Sequence, residues 1–266
     1  MAYAAGIGAT EACYFDDLGP QGIVGHPAFC VSLEWPVVSG AGYLSAVGRA
    51  PDAPRGAIHV LQDSRFHRPI RAGESLRTCA RIVEVRQTGA GALVTSRVET
   101  SDASSGAPVV TTWTAGIFLR ESVSGGNRGT EEIPALREDA EVGVVPISHL
   151  GIETSQGLAH RYSEYASIWN PIHTERSAAL AIGLPDIILH GTCTWALAGQ
   201  ALIRAVGGGN PRRLRRLAGR FKGMVFPGDR LELDYARASA APVWQFAVRT
   251  PRGDLAITHG VAEFDA

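Results

Sequence analysis

YSEYASIWNPIHTERSAALAIGLPDIILHGTCTWALAGQALIRA, residues 162–205, is the stretch around which the rest of the chain is organised. Asn170-Pro171-Ile172-His173 reads as a turn that opens an alanine-rich helix. Thr174 is its expected N-cap, because a hydroxyl there can accept from the first free N–H groups. Gly183 followed by Pro185 stops that helix. An apolar run then leads to His190-Gly191 and a second helix over about residues 192–206, closed by glycines at 207–209. Two features of this stretch can do chemistry. One is the His173 imidazole, whose ordinary pKa of about 6.5 suits proton transfer at neutral pH. The other is the row of backbone N–H groups at the start of the second helix. Gly191 lets a ligand approach that row, and a helix start carries roughly half a positive charge. Each also has a plain structural reading, as a hydrogen-bonded histidine and as a glycine in a tight turn.

Outward from this segment the chain reads mainly as strands. Residues 57–65, 75–86, 93–100 and 109–119 alternate as strands should and are joined by short turns, which implies an antiparallel sheet. Residues 231–237, 243–249 and 255–264 do the same after the second helix. Residues 144–152 and 158–167 precede the organising segment, the latter read as a strand. Residues 1–57 are irregular, with 29–38 as their best strand candidate on the alternation of Val31, Leu33 and Trp35. Ala72-Gly73-Glu74-Ser75-Leu76 matches Pro227-Gly228-Asp229-Arg230-Leu231, and strand, turn, strand follow each. The match implies two copies of one unit, a sheet wrapped around a helix. Only the second copy shows a clear helix. The first has either lost it or put the irregular region at 36–54 in its place. Polar, glycine-rich and charged residues at 126–142 read as a linker between a unit at 1–125 and a unit at 143–266.

Length and composition narrow the function. The chain has 266 residues, 45% hydrophobic and 19% charged, with a formal net charge of −1. That suits a globular protein with a full core and gives no general attraction for nucleic acid or an anionic membrane. No apolar run is long enough to cross a bilayer, and a start without basic residues points to the cytoplasm. Cys13, Cys30, Cys79 and Cys193 lack metal or disulfide spacing, so neither a metal nor a cofactor is expected. Arg212, Arg213, Arg215, Arg216, Arg220 and Lys222 form one basic cluster, read as a solvated loop and strand end.

Asn-Pro-Ile-His, the alanine-rich helix, Ile187-Ile188-Leu189-His190-Gly191, and Arg220-Phe221 with Val225-Phe226-Pro227-Gly228-Asp229 together resemble the MaoC-like, or (R)-specific enoyl-CoA hydratase, family. The likeness is strong over residues 158–233, weaker over 59–112 and negligible before about residue 29. It implies an α+β double hotdog: two bent antiparallel sheets, each around a central helix, the N-terminal helix reduced. It further implies hydration of enoyl thioesters or dehydration of 3-hydroxyacyl thioesters, carried on coenzyme A or a carrier protein. His173 becomes the acid/base, Gly191 the donor to the thioester oxygen, and Asn170 the residue that orders the turn. Trp169, His190, Thr192 and Arg220 become candidate substrate contacts, and the arginine cluster a candidate partner for the coenzyme's phosphates. Two hotdogs in one chain make either a monomeric pseudo-dimer or half of a homodimer.

One position departs from the family motif. The aspartate expected two residues before the asparagine is replaced by Ile168, which cannot transfer a proton or hold water. One acid/base group is worth about 10²–10⁴ in rate. Glu164, Tyr165 or Ser167 would have to substitute, or the site has shifted to a different reaction, or it binds thioesters without turning them over. A hotdog thioesterase is the third reading.

Overall fold

The alternating runs form strands because β-branched and aromatic residues at every second position cover one face of a pleated sheet. The computed structural model describes residues 1–20, 22–49, 57–136, 147–238 and 242–265. Helices α1 (Ala2–Gly6), α2 (Cys30–Val38) and α3 (Ala41–Ala46) come first. Strands β1 (Ala57–Phe66), β2 (Leu76–Gln87), β3 (Gly91–Asp102), β4 (Pro108–Leu119) and the two-residue β5 (Arg128–Gly129) follow. The second half holds β6 (Ser148–Glu153), α4 (Leu158–Ala166), α5 (Arg176–Ala181) and α6 (Gly191–Ala205). It closes with β7 (Leu214–Phe221), β8 (Arg230–Arg237), β9 (Val243–Arg249) and β10 (Leu255–Phe264).

All ten strands join one antiparallel sheet, in the order β5-β2-β3-β4-β1-β7-β10-β9-β8-β6. Its two halves repeat one pattern about the β1–β7 seam, where Leu61–Arg65 pairs with Arg216–Arg220. The double-hotdog expectation is met in this arrangement. Helix α6 lies in the main core, with Cys193, Trp195, Ala196, Ala198, Leu202 and Ile203 fully covered. Its slim residues let strands approach. At Gly199 a Cβ would collide with the Leu217 side chain of β7.

The first copy does keep a helix, which corrects the strand expected at 29–38. Alternation over only three residues fits either period, and here the helical one wins. Glu34 is buried on α2 and accepts from the Thr112 hydroxyl at 2.5 Å and the Gln62 amide at 2.9 Å. Burial raises its carboxyl pKa. Those bonds tie α2 to β1 and β4 in the way that α6 is tied into the second half by packing.

Residues 158–167 are likewise helix rather than strand. Leu158, Ala159, Tyr162, Ser163 and Ala166 are the buried positions of α4, a helical spacing. Ser167 ends the helix in the left-handed region, at φ 55°. The N-cap expectation at Thr174 also fails. Helix α5 starts at Arg176 after Glu175, and the Thr174 carbonyl instead accepts from the His160 ring at 3.0 Å.

The N-terminal residues are the largest correction. They fold as a counterpart of the organising segment. Tyr3 and Tyr14 are spaced as Tyr162 and His173 are, and short 3₁₀ turns end at Tyr14 and at His173. Gly25 donates to the Ile70 carbonyl at 2.7 Å, as Leu189 donates to Val225 at 2.8 Å. His26 and His190 both cap the next helix at φ −59°, ψ 136°. Arg65-Phe66 stands to Gly73 as Arg220-Phe221 stands to Gly228. Helix α1 packs on α4, and the Tyr3 and Tyr162 hydroxyls meet at 3.2 Å. At Gly6 a Cβ would fall inside the Tyr165 ring, so only glycine allows the approach. Replacing Tyr3 by Phe should cost about 1 kcal/mol, one net hydrogen bond, or roughly 2–4 °C in Tm. An unchanged thermal melt would show that this pair does not fasten the two helices.

The basic cluster is not a loop. Leu214–Phe221 forms β7, at the centre of the sheet. Arg216 is buried and grips the Asp63 carboxylate of β1 through two bonds, at 2.7 and 2.8 Å, and also reaches Glu263 at 3.1 Å. This pair crosses the seam, and removing either partner would strand a charge in the interior. Arg215 pairs with Asp265. Among the described residues, Arg212, Arg220 and Lys222 make no ion pair. Within the expected linker, Arg128–Gly129 pairs with β2 and Glu131 binds Arg97 and the Trp113 indole. Its residues 137–142 lie outside the described residues.

Candidate active site

Asn170, extended at φ −135°, ψ 120°, delivers the chain into the 3₁₀ turn Pro171–His173. Proline fixes the first helical φ, and the turn closes through His173 N–H to the Asn170 carbonyl at 3.0 Å. The His173 ring is 9% exposed. Its Nδ1 lies 2.8 Å from the Ile188 carbonyl, so Nδ1–H donates and Nε2 carries the free lone pair. Burial pushes the pKa down to about 4, against a smaller upward pull from that carbonyl. At neutral pH the ring is a neutral base. The side chain of Asn170 makes no hydrogen bond among the described residues.

The second imidazole lies directly against the first. The His173 and His190 rings stack at 3.7 Å between centroids and 25° between planes. His190 is 3% exposed. Its Nε2 donates to the Ile168 carbonyl at 3.2 Å, with the Ser163 hydroxyl at 3.4 Å. Its Nδ1 is enclosed and has no hydrogen-bond partner among the described residues. Burial, and then the neighbouring His173, hold its pKa well below the usual value.

Gly191 is the first residue of α6, so its N–H has no intrahelical acceptor. A Cβ there would meet the Phe221 ring at 3.1 Å, and the Phe221 ring stands edge-on to His59 of β1 at 4.8 Å. The two copies therefore meet at this glycine. Thr192, buried, follows it.

Ile168 is buried in the main core, and only its carbonyl reaches the site. None of the expected substitutes touches His173. Glu164 is exposed and bonded to the Trp169 indole at 3.2 Å. Tyr165 faces Tyr3 and α1. Ser167 is the exposed cap of α4. Trp169 is 55% exposed, whereas Trp195 is fully buried on α6. Arg220 is exposed on β7, opposite Leu61 and Thr258. The structure thus brings His173, His190, Gly191 and Thr192 together and leaves Trp169 and Arg220 at the surface. The contribution of Phe221 was missed, although the Arg220-Phe221 motif pointed near it.

In the first copy the same places hold other chemistry. Tyr14 stands where His173 does, its ring 5.5 Å from His26. Pro27 stands where Gly191 does and has no N–H to offer. Both His26 nitrogens are satisfied: Nδ1 accepts from Ala28 N–H at 3.1 Å, and Nε2 lies 3.1 Å from the Gln200 amide oxygen. At the sheet edge, β6–β8 pairing brings His149 beside Glu232 and Asp234, with all three ligand atoms within 4.8 Å. Arg249 already neutralises that Asp234. No described helix is long and apolar enough to cross a membrane.

Comparison with known proteins adds to this geometry. Residues 140–248 match the MaoC like domain, and residues 1–112 match the FAS1-like dehydratase domain region. The chain is 31% identical over 185 residues to 3-hydroxyacyl-thioester dehydratase Y of Mycobacterium tuberculosis, covering 67% of this chain. It spans 61% of that relative's length. A MaoC-like dehydratase from Phytophthora capsici superposes with a TM-score of 0.83 at 21% identity, over 100% of this chain and 92% of that one. A Mycobacterium tuberculosis protein described as a double hotdog superposes with a TM-score of 0.61 at 13% identity, over 98% of this chain and 89% of that one. At these identities the two likenesses establish the fold.

Proposed function

Since the chain belongs to the MaoC-like dehydratase family, we propose that it is a hydro-lyase of acyl thioesters, adding water to an enoyl thioester or removing it from a 3-hydroxyacyl thioester. The observation that carries this reading is the neutral, buried His173, with its Nε2 free, beside the Gly191 N–H at the start of a buried helix. Water attacks the β-carbon and loses a proton to His173 Nε2. The α-carbon then takes that proton back. The charge that builds on the thioester oxygen is met by the Gly191 N–H and the positive end of α6. Thr192 and His190 line the site, and Asn170 positions the turn. Arg220, exposed and without an ion pair among the described residues, is suited to a coenzyme phosphate. The thioester is carried on coenzyme A or a carrier protein. The reading keeps one site per chain, in a unit at 143–266 joined through 126–142 to a unit at 1–125 whose own site is closed by Tyr14 and Pro27.

Ile168, buried where a carboxylate is expected, favours a second reading: a thioester-binding protein without turnover. Loss of enoyl-thioester absorbance, followed over a panel of enoyl-CoA chain lengths, separates the two. Turnover by the purified chain is the expected result. Tight binding of acyl-CoA with no absorbance change on any chain length would replace the hydro-lyase by the binding protein.

A further inference from the structure

The first copy keeps a cleft at the place that corresponds to the surroundings of Gly191 in the second. Val24, Pro27, Phe66, Ile70 and Leu214 line it as buried apolar side chains, and Arg68, Arg212 and Arg215 line it half-buried. About 340 Å³ is free up to its open mouth. Of this, about 20 Å³ is available to a water-sized group, which is room for one. The correspondence rests on spacing and on pairing. Pro27 follows His26 as Gly191 follows His190, and Phe66 stands where Phe221 does. Arg215 bulges from β7 between Leu214 and Arg216 in its pairing with β10, and Val60 bulges from β1 between His59 and Leu61 in the same way. The spacing that relates Phe66 to Phe221 relates Arg68 to Gly223 and Arg212 to Ala57. Three positions that hold small or apolar residues near Gly191 thus hold guanidinium groups near Pro27.

We propose that this cleft is a non-catalytic anion site that takes the phosphate group of a small ligand on Arg212. Arg68 is held by Glu74 at 2.7 Å, and Arg215 by both oxygens of Asp265. Arg212 is not held in this way. Among the described residues only its backbone N–H is bonded, to the Asn210 side chain at 3.1 Å. Burial raises the Cys13 and Tyr14 pKa values and the Arg212 charge opposes both, so that charge lies toward the turn that carries Tyr14. A guanidinium with its fork of donors free binds phosphate through two parallel bonds. Arg68 comes from the β1 side of the seam and Arg212 from the β7 side, and a tetrahedral head offers oxygens to both where a flat carboxylate does not. Room for one water-sized group admits the head of a ligand and leaves its body in the mouth. Pro27 brings no N–H and Tyr14 replaces the base, so the cleft binds without reacting. It is also remote from Gly191. β1 and β7 run antiparallel, with Leu61 opposite Arg220 and Arg65 opposite Arg216. The cleft therefore lies where β7 begins, and Phe221 beside Gly191 lies where β7 ends. Leu214 and Phe221 are the two ends of that strand, roughly 23 Å apart at about 3.3 Å per residue.

Isothermal titration calorimetry tests the site, at low ionic strength because salt screens such a contact. Inorganic phosphate, adenosine 3′,5′-bisphosphate and acetate are titrated into wild type, Arg212→Ala, Arg212→Lys and Arg220→Ala. Wild type should bind both phosphates. Arg212→Ala should bind them about tenfold or more weakly, the worth of one charge-assisted hydrogen bond. Lysine keeps the charge and loses the fork, so Arg212→Lys should fall between the two. Arg220→Ala, altered at the other end of the seam, should bind inorganic phosphate as wild type does. The Arg212 side chain makes no bond among the described residues, so its variants should melt with wild type. Bisphosphate that binds more tightly than inorganic phosphate, with the same dependence on Arg212, identifies the head as part of a nucleotide. Bisphosphate that binds no more tightly identifies it as free phosphate or a simple monoester. The proposal is overturned if wild type binds neither phosphate, if Arg212→Ala binds them unchanged, or if acetate binds as tightly. A loss in Arg220→Ala as large as in Arg212→Ala also overturns it, since the anion would then sit at the other end of β7. None of these results bears on the hydro-lyase reading, which is decided by enoyl-thioester absorbance.

Discussion

His173→Ala should lower kcat for enoyl-thioester hydration by about 10²–10⁴-fold, the full worth of a general acid/base. It should leave the affinity for a saturated acyl-CoA nearly unchanged. The split follows from geometry. His173 sits in a short turn, its one donor is spent on Ile188, and its other nitrogen is the proposed reacting atom. The pH profile gives an independent check. Burial holds the ring pKa near about 4, and only the neutral form accepts a proton. Wild-type kcat/KM should therefore stay level from pH 8 down to about pH 5 and fall below that, rather than break near the ordinary histidine value of about 6.5. The linkage has the same sign. The folded state binds fewer protons than the unfolded state between those values, so stability also declines as pH falls from about 6.5 to 4. Rates at low pH must therefore be read on protein shown to be folded. A break near pH 6.5 in both His173→Ala and wild type would assign the base elsewhere.

The strands, the Gly-Asp/Gly-Glu repeat and the Asn-Pro-Ile-His and His-Gly pair were legible because each rests on local pattern: alternation, turn residues, caps. What was not legible depended on tertiary contact. Glu34 makes 29–38 a helix through bonds to Thr112 and Gln62, residues far along the chain. β7 was hidden because its arginines read as solvated, and only the Asp63 pairing from the other copy lets Arg216 lie buried. The N-terminal copy was hidden more deeply. It preserves a tyrosine, a 3₁₀ turn and a capping histidine, but almost none of the side chains that carry the motif. Spacing survives where backbone geometry is still needed, and identity decays where chemistry is not. The same logic explains why no substitute for the missing aspartate could be named from neighbours in sequence. Glu164, Tyr165 and Ser167 lie on a helix and its cap that direct them to Trp169, to Tyr3 and to the surface.

Gly191→Pro should leave the fold intact and reduce kcat by about 10²–10³-fold, the usual effect of losing one oxyanion donor. The protein itself contains the control. Pro27 occupies the first helical position after His26 in the first copy, with the same capping angles that His190 has. Proline is well accepted at that position, because the N–H it lacks has no intrahelical partner. The substitution therefore deletes one donor and copies a turn the chain already makes. Packing sets the only obstacle. A Cβ at position 191 meets Phe221 at 3.1 Å, so the ring must shift by a few tenths of an ångström. Gly191→Ala measures that cost separately, since it adds the Cβ and keeps the N–H. Alanine near wild type with proline about 10²-fold or more below it isolates the hydrogen bond. Equal losses in both would mean that the glycine serves only to admit Phe221, and that the thioester oxygen is met by another group.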